Sequence, residues 1–136
     1  MNYALNAVPE DLSSHIVYTA PRKRDVCTEG ITVLKHTGCG DMHITLNWDK
    51  HGLCEVFIRI GKCGGCMATQ SEAIGRLISL ALRCYISPEE IIDQLKVLQC
   101  PSPVHLEGNK KSLSCADVIG EALAEVCAQK TPLNVI

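Results

Sequence analysis

The chain has 136 residues, 13 lysines and arginines against 15 aspartates and glutamates, and a formal net charge of -2; 46% of it is hydrophobic but only 4% aromatic. This length suits one domain with an aliphatic core, and the charge argues against a broad nucleic-acid surface, which needs a basic excess. The longest apolar stretch, residues 77–82, is too short to cross a membrane, and no basic flank followed by an apolar block indicates a secretory signal.

The first 26 residues show no regular hydrophobic period and end near the basic run PRKRD, which is typical of a solvated linker. We therefore predict an N-terminal tail over residues 1–26, one domain over residues 27–130 and a C-terminal tail over residues 131–136.

Three segments then alternate apolar and polar residues in the way that strands do, at 31–36, 42–48 and 54–60. The second places Met42, Ile44, Leu46 and Trp48 on one face. The sequence DKHG between the second and third segments is turn chemistry, which predicts a hairpin.

After Cys66 the hydrophobic period becomes helical, and the pattern predicts helices near 67–84, 88–99 and 114–128. The second begins with Ser87 as N-cap and Pro88 at the first helical position. The third starts near Ser114, with Asp117 three residues later. Strands followed by helices define an α+β class: a small three-stranded antiparallel sheet followed by three helices.

The first two helices have the following expected buried positions: Ala73, Ile74, Leu77, Ile78 and Ala81 in the first, and Ile91, Ile92, Leu95 and Leu98 in the second. In the first helix, Leu80 and Leu82 fall outside this stripe. A helix that is apolar on more than one side has to bury the surplus face, so we predict a homodimer, a higher oligomer or docking to a partner.

Nine cysteines are a high count for this length. An odd number without an export signal favours a reducing compartment, so the sequence predicts a cytoplasmic protein whose cysteines bind metal, carry out redox chemistry or pack in the core.

Four of the cysteines lie at element boundaries, beside glycine, proline or a helix start: Cys39, Cys66, Cys100 and Cys115. Glycine turns and helix N-termini lower a cysteine pKa, and four thiolates suit a tetrahedral Zn²⁺ site. The spacing is not that of a zinc ribbon, so scattered structural thiols are the alternative. Asp41, two residues after Cys39, is either an additional ligand or an ordinary turn aspartate.

The stretch GKCGGC before the first helix has two other interpretations. Cys63 and Cys66 have the spacing of a dithiol redox pair, but the context of a thioredoxin-like βαβ unit is missing. Glycine N–H groups at a helix start can cradle a phosphate, but the motif is neither a dinucleotide fingerprint nor a P-loop. No Ser/His/Asp arrangement or paired carboxylate site is visible in the sequence, so the chain is not predicted to be catalytic alone.

Four stretches carry a family resemblance in register: TGCGDMHITLN, EVFIRIGKCGGCMATQSEAIGRLISLALR, SPEEIIDQLKVLQCPSP and LSCADVIGEAL. Together they resemble the TSCPD domain, the C-terminal domain of adenosylcobalamin (vitamin B12)-dependent, class II, ribonucleotide reductases. The resemblance runs from about residue 22 to about residue 124. Ala116 stands where the family usually has proline, and the reductase barrel has no counterpart here. The resemblance therefore links the chain to ribonucleoside-diphosphate reductase without implying an adenosylcobalamin site or a ribonucleotide pocket of the known kind.

The resemblance selects Cys39, Cys66, Cys100 and Cys115 as the family's cysteines, and implies zinc ligation by these four; Cys63 falls where a small residue is usual. A more distant similarity to iron–sulfur scaffold proteins of the NifU-like type rests on the Cys-Gly-Asp turn that begins at Cys39, on Gly65-Cys66 and on Cys115. It implies a shared fold and metal position, with an iron–sulfur cluster as the alternative to zinc.

The resemblance leaves four functions open. The first is a zinc-binding accessory or regulatory protein that binds a ribonucleotide reductase catalytic subunit or itself. The second is an iron–sulfur scaffold or carrier, and the third is a redox protein that reduces the active-site disulfide of a reductase. The fourth is a nucleotide-binding or sequestering protein built on the same domain.

Overall fold

The computed structural model describes residues 20–61 and 65–130 of the chain. The elements follow in the order β1 Glu29–Thr37, β2 Gly40–Asp49, β3 Gly52–Ile60, α1 Cys66–Arg83, α2 Pro88–Leu95, β4 Val104–His105, a 3₁₀ turn at Glu107–Asn109, β5 Lys111–Ser112 and α3 Cys115–Lys130. A three-stranded sheet followed by three helices confirms the predicted α+β class.

The main sheet is an antiparallel meander in which β2 lies between β1 and β3. The alternation predicted for β2 is confirmed, since Met42, Ile44 and Leu46 are fully buried on one face. The opposite face is polar at its centre, where the hydroxyl groups of Thr32 and Thr45 hydrogen-bond across the strands at 2.7 Å. The helices therefore cover one face of the sheet and leave the other in solvent.

Helix α1 lies along the outer edge of β3. The Ser79 hydroxyl accepts a hydrogen bond from the Val56 N–H at 2.9 Å and lies 3.3 Å from the Val56 carbonyl. A Cβ on Gly75 would lie 2.9 Å from that same carbonyl, so the absence of a side chain lets the helix approach the strand.

Because α1 lies so close to β3, the face that it buries differs from the predicted one. The buried residues are Ser71, Gly75, Ile78 and Leu82. Ala73 and Leu77, which were expected in the core, are exposed, and Leu82, which was expected outside the stripe, is buried. Small residues, not the largest apolar ones, face the strand because its backbone comes so near.

Helix α2 begins as predicted, with the Ser87 hydroxyl accepting from the Glu90 N–H at 3.3 Å. It ends at Leu95, four residues before the expected position. Lys96 is extended and Val97 has a φ of 64°, which no helix continues through. Leu98 is therefore exposed and not buried as the helical period predicted.

Among the three helices, α3 contributes the most buried residues. Its predicted inward residues are all buried: Val118, Ile119, Ala122, Leu123 and Val126. The helix also packs on α2 through Gly120, where a Cβ would lie 3.2 Å from the Leu95 and Lys96 side chains. The short β4–β5 pair precedes it.

The described part of the predicted N-terminal tail is bound to the domain, which corrects the solvated-linker interpretation of PRKRD. Arg22 forms a bidentate ion pair with Asp49, at 2.6 and 3.0 Å, and the Asp49 side chain is fully buried. Arg24 pairs with Glu55 at 2.7 Å. The Arg22 N–H also donates to the Arg83 carbonyl at the end of α1. The arginines of this run therefore tie residues 20–25 to the sheet and to α1.

None of the helices within residues 20–61 and 65–130 has the length and apolar character needed to cross a membrane.

Candidate metal centre

The turn between β1 and β2 carries Cys39 and packs against the segment that follows Cys100. A Cβ on Gly38 would lie only 2.1 Å from the carbonyl oxygen of Ser102, well inside van der Waals contact. Only glycine fits at this position, which explains one of the two glycines that flank Cys39. The close contact brings the Cys39 turn and the Cys100 segment to the same end of the sheet.

Thr37 fixes the conformation of this turn. Its hydroxyl accepts from the Cys39 N–H at 3.1 Å and donates to the Gly40 carbonyl at 2.9 Å. The Cys115 thiol approaches the same hydroxyl, with a sulfur–oxygen distance of 3.5 Å. The threonine therefore connects the turn with the first residue of α3.

Three of the four predicted ligands converge at this end. A hydrogen bond with the Cys115 thiol, then burial, then the charges of Cys115 and Cys100 raise the pKa of Cys39. The expectation from the sequence was a lowered pKa at such a turn. It does not hold for Cys39, because sulfur neighbours and partial burial act against the thiolate.

Asp117 holds the segments that carry Cys100 and Cys115. It is buried, and its carboxylate accepts from the Val97 N–H and from the Leu113 N–H, both at 3.0 Å. The Cys100 N–H in turn donates to the Leu113 carbonyl at 3.1 Å. One side chain thus connects the end of α2, the segment before α3 and the start of α3.

Local chemistry places Asp117 in that position. The Ser114 hydroxyl accepts from the Asp117 N–H at 3.1 Å and caps α3, as the sequence predicted. The carboxylate lies in the first turn of the helix, where the partial positive charge of the N-terminus favours it.

Cys66 is the first residue of α1 and is exposed. Within residues 20–61 and 65–130, no three Cys, His, Asp or Glu side chains lie close enough together to hold a metal ion. Cys39, Cys100 and Cys115 are neighbours without reaching that arrangement. Their soft sulfur donors fit zinc in kind, and a tetrahedral site requires a fourth donor. Cys63, and with it the alternative redox pair, lies outside the described residues.

Asp41 is engaged on the solvated face of the sheet. Its carboxylate lies 2.6 Å from Nδ1 of His36, its cross-strand neighbour, and both side chains are mostly exposed. The contact with His36 gives Asp41 a role in the pairing of β1 and β2, at the start of β2. His43, His51 and His105 are also exposed.

Sequence reasoning missed Thr37 and Gly38 as parts of this end of the molecule, and treated Asp117 as a helix-start residue only. A threonine hydroxyl can accept a hydrogen bond from the backbone N–H two residues later, so a threonine followed by glycine was a weak signal for this turn at Thr37. Nothing local indicates the contact of Gly38 with Ser102, since 64 positions separate the two residues.

Comparison with known proteins gives one family. The model of the TSCPD domain matches residues 16–127, so the chain belongs to the TSCPD domain family. No curated protein matches the chain. No solved structure matches it either.

Proposed function

We propose that this TSCPD-domain protein is a zinc-binding accessory or regulatory protein, with a ribonucleotide reductase catalytic subunit as its partner. The observation that carries the proposal is the convergence of Cys39, Cys100 and Cys115 from three separate segments at one end of the sheet. Cys66, at the start of α1, is the proposed fourth ligand.

The chemistry of the cluster favours a cation. The pKa of Cys39 is raised first by its hydrogen bond with the Cys115 thiol, then by burial and by the charges of Cys115 and Cys100, so without a cation the neutral thiol is favoured. A divalent metal reverses this effect, because it is bound by thiolates. The cysteines are free thiols and not disulfide-bonded, in agreement with a ligand role.

The surroundings of the cluster suit a binding role better than a catalytic one. Two polar side chains near the thiols accept hydrogen bonds from main-chain N–H groups. Thr37 closes the Cys39 turn, and Asp117 connects the segments before and after Cys100. Both side chains are engaged in these main-chain hydrogen bonds, which is the use expected of groups that shape a binding site. The link to a reductase comes from the resemblance of the TSCPD domain to the C-terminal domain of class II enzymes.

The test is the metal content of the full chain purified without chelator, measured by elemental analysis. We expect one zinc per chain. Cys115→Ser should lose it, and so should Cys39→Ser, which keeps the folded core because Cys39 is exposed. Cys84→Ser is the matched control and should retain the metal, since Cys84 ends α1 away from the converging thiols.

Two results would contradict the proposal. One is a zinc content in Cys39→Ser and Cys115→Ser equal to that of the control. The other is a wild-type protein without metal. Iron with sulfide and a brown colour, lost in the same two variants, would retain the four-cysteine site and replace zinc by an iron–sulfur cluster.

A further inference from the structure

Two of the proposed zinc ligands, Cys39 and Cys115, are in direct contact as free thiols. The Cys39 side chain is hydrogen-bonded to the Cys115 thiol. The Thr37 hydroxyl holds both residues, because it accepts from the Cys39 N–H at 3.1 Å and lies 3.5 Å from the Cys115 sulfur. Two sulfur atoms in hydrogen-bond contact require only a small movement of the chain to form a disulfide.

Contacts between protein groups keep the two thiols together. The turn that carries the first thiol is packed at Gly38, where a Cβ would lie 2.1 Å from the carbonyl oxygen of Ser102. The second thiol belongs to the first residue of α3, and the Ser114 hydroxyl caps this helix by accepting from the Asp117 N–H at 3.1 Å. Neither contact uses a sulfur atom, so we expect the pair to stay in place in the zinc-free chain.

The two thiols differ in exposure, which decides the order in which they react. Cys39 is exposed, whereas Cys115 is only 9% exposed. A dissolved oxidant therefore reaches Cys39 first, and the neighbouring Cys115 is placed to react with the product. The charge of Cys100 also contributes to the raised pKa of Cys39, but the hydrogen-bond contact is with Cys115.

We propose that Cys39 and Cys115 form a reversible disulfide in the zinc-free chain, with a small-molecule disulfide such as oxidised glutathione as the oxidant. The inference rests on the proposed function, because it assigns redox control to the zinc occupancy of that site. The pair suggested by sequence spacing, Cys63 and Cys66, is a competing product that the experiment distinguishes.

The reaction is a thiol–disulfide exchange in two steps. In the first, the Cys39 thiolate attacks one sulfur of the oxidant, whose S–S bond breaks. One small thiol leaves with the bonding electron pair and takes up the proton that Cys39 has lost. In the second, Cys115 loses its proton and attacks the Cys39 sulfur, and the second small thiol leaves and is protonated in the same way. The protein thus loses two electrons and two protons, which reduce one disulfide to two thiols.

Zinc and this disulfide exclude each other. Zinc is bound by thiolates, and the disulfide removes two of the four proposed donors. Cys66 and Cys100 remain, and two ligands are too few for a tetrahedral site made by the protein. A bound zinc ion, conversely, shares the electron pairs of both thiolates, which slows their attack on the oxidant. The zinc site is therefore available only in the reduced chain.

The test uses the full-length chain, freed of metal with a chelator that is then removed. It is incubated for hours with an excess of oxidised glutathione, because the raised pKa of Cys39 leaves little of it as thiolate near neutral pH. The remaining thiols are alkylated, and the disulfides are located by mass spectrometry after trypsin digestion without reductant. Cys115 and Cys127 fall in the same tryptic peptide, so fragmentation of that peptide distinguishes them. We expect a link between Cys39 and Cys115 that dithiothreitol reverses.

Zinc supplies the second measurement. A slight excess of zinc, added before the oxidant, should slow formation of the link at least about tenfold, because a tightly bound ion leaves few chains zinc-free. The oxidised chain should bind no zinc, and reduction with dithiothreitol should restore zinc binding.

Three variants establish the order of the steps. Cys115→Ser should stop after the first step and accumulate a mixed disulfide of glutathione with Cys39. Cys39→Ser should leave Cys115 reduced, because that thiol is buried. Cys27→Ser is the matched control, since Cys27 is also exposed but precedes β1, at the opposite end of the strand from the Cys39 turn. It should form the link like wild type.

The proposal is overturned if zinc-free wild type keeps Cys39 and Cys115 reduced, if either of them is linked mainly to another cysteine, or if the oxidised chain still binds zinc. Metal content separates these results from the proposed function. A chain that binds zinc but does not form the link contradicts only the disulfide. A chain that binds no zinc but forms the link contradicts the metal proposal and supports the disulfide.

Discussion

Asp117→Asn is the most direct test of how the cysteine-bearing segments are held together. The native carboxylate accepts two backbone hydrogen bonds at 3.0 Å, from Val97 and Leu113, in a buried position. Asparagine keeps one acceptor oxygen and turns an NH₂ group toward the other N–H. One donor is therefore left without a partner, and the remaining hydrogen bond loses its charge.

The magnitude follows from these two bonds. A hydrogen bond to a charged acceptor contributes about 1.5–3 kcal/mol, a neutral one about 0.5–1.5 kcal/mol, and a buried unpaired donor costs about 1–3 kcal/mol. Loss of the carboxylate charge in the first turn of α3 adds roughly 0.3–1 kcal/mol. Allowing for overlap among these contributions, we expect the free energy of unfolding to fall by about 3 kcal/mol. For a domain of this size, this lowers the melting temperature by roughly 10 °C.

The assay is thermal and urea unfolding, followed by circular dichroism at the helix signal, with chelator and again with one equivalent of zinc. Asp93→Asn on the exposed side of α2 is the control and should change stability by less than about 0.5 kcal/mol. Zinc affinity of Asp117→Asn should also fall, because the segments of Cys100 and Cys115 lose their common anchor. Equal stability of the two variants would refute the role assigned to Asp117.

Two further substitutions test other contacts. Gly38→Ala places a methyl group where only 2.1 Å separates it from the Ser102 carbonyl, so it should lower both the melting temperature and the zinc affinity; an unchanged zinc titration would contradict the packing of the turn on the Cys100 segment. Asp49→Asn should destabilise the chain at neutral pH by about 3 kcal/mol, since it leaves Arg22 without its buried partner. The hydrogen bonds of Arg22 hold the pKa of Asp49 well below its usual range, so wild type begins to lose this advantage only as the pH falls below about 4. From that pH downward, the free energies of unfolding of the two proteins should approach each other. A constant difference between them down to about pH 2 would argue against the ion pair.

The elements that local pattern determines were predictable from the sequence. Alternation located β2, and the cap at Ser114 with its apolar period located α3, because strand and helix signals depend on residues close in sequence. The end of α2 was not predictable in this way. The apolar period continues to Leu98, but the hydrogen bond from Val97 to Asp117, 20 positions later, accompanies a backbone turn that ends the helix.

The buried face of α1 shows a second limit. Hydrophobicity favoured Leu77, whereas the structure buries Ser71 and Gly75, because the distance of closest approach to Val56 decides the packing. A hydrophobic pattern does not contain that distance. The same limit applies to the converging cysteines. Element boundaries and family resemblance selected four cysteines, but the spacing of 39, 66, 100 and 115 does not indicate which of them lie close together in the fold.

The cluster depends on polar contacts more than on the hydrophobic core. Cys39 and Cys100 lie on connecting segments. Contacts with the backbone hold those segments in place, and they are made by Gly38, Thr37 and Asp117. Donors that folding has already brought together lose little conformational entropy when an ion binds, which raises affinity without any new contact. Cys66 differs, because it is exposed at the start of α1 and has no comparable hydrogen bond or close packing contact among those described. In the proposed zinc site, we therefore expect Cys66 to be the ligand whose binding orders the chain most. Cys66→Ser should accordingly separate the zinc affinity of three thiols from that of a complete tetrahedral site.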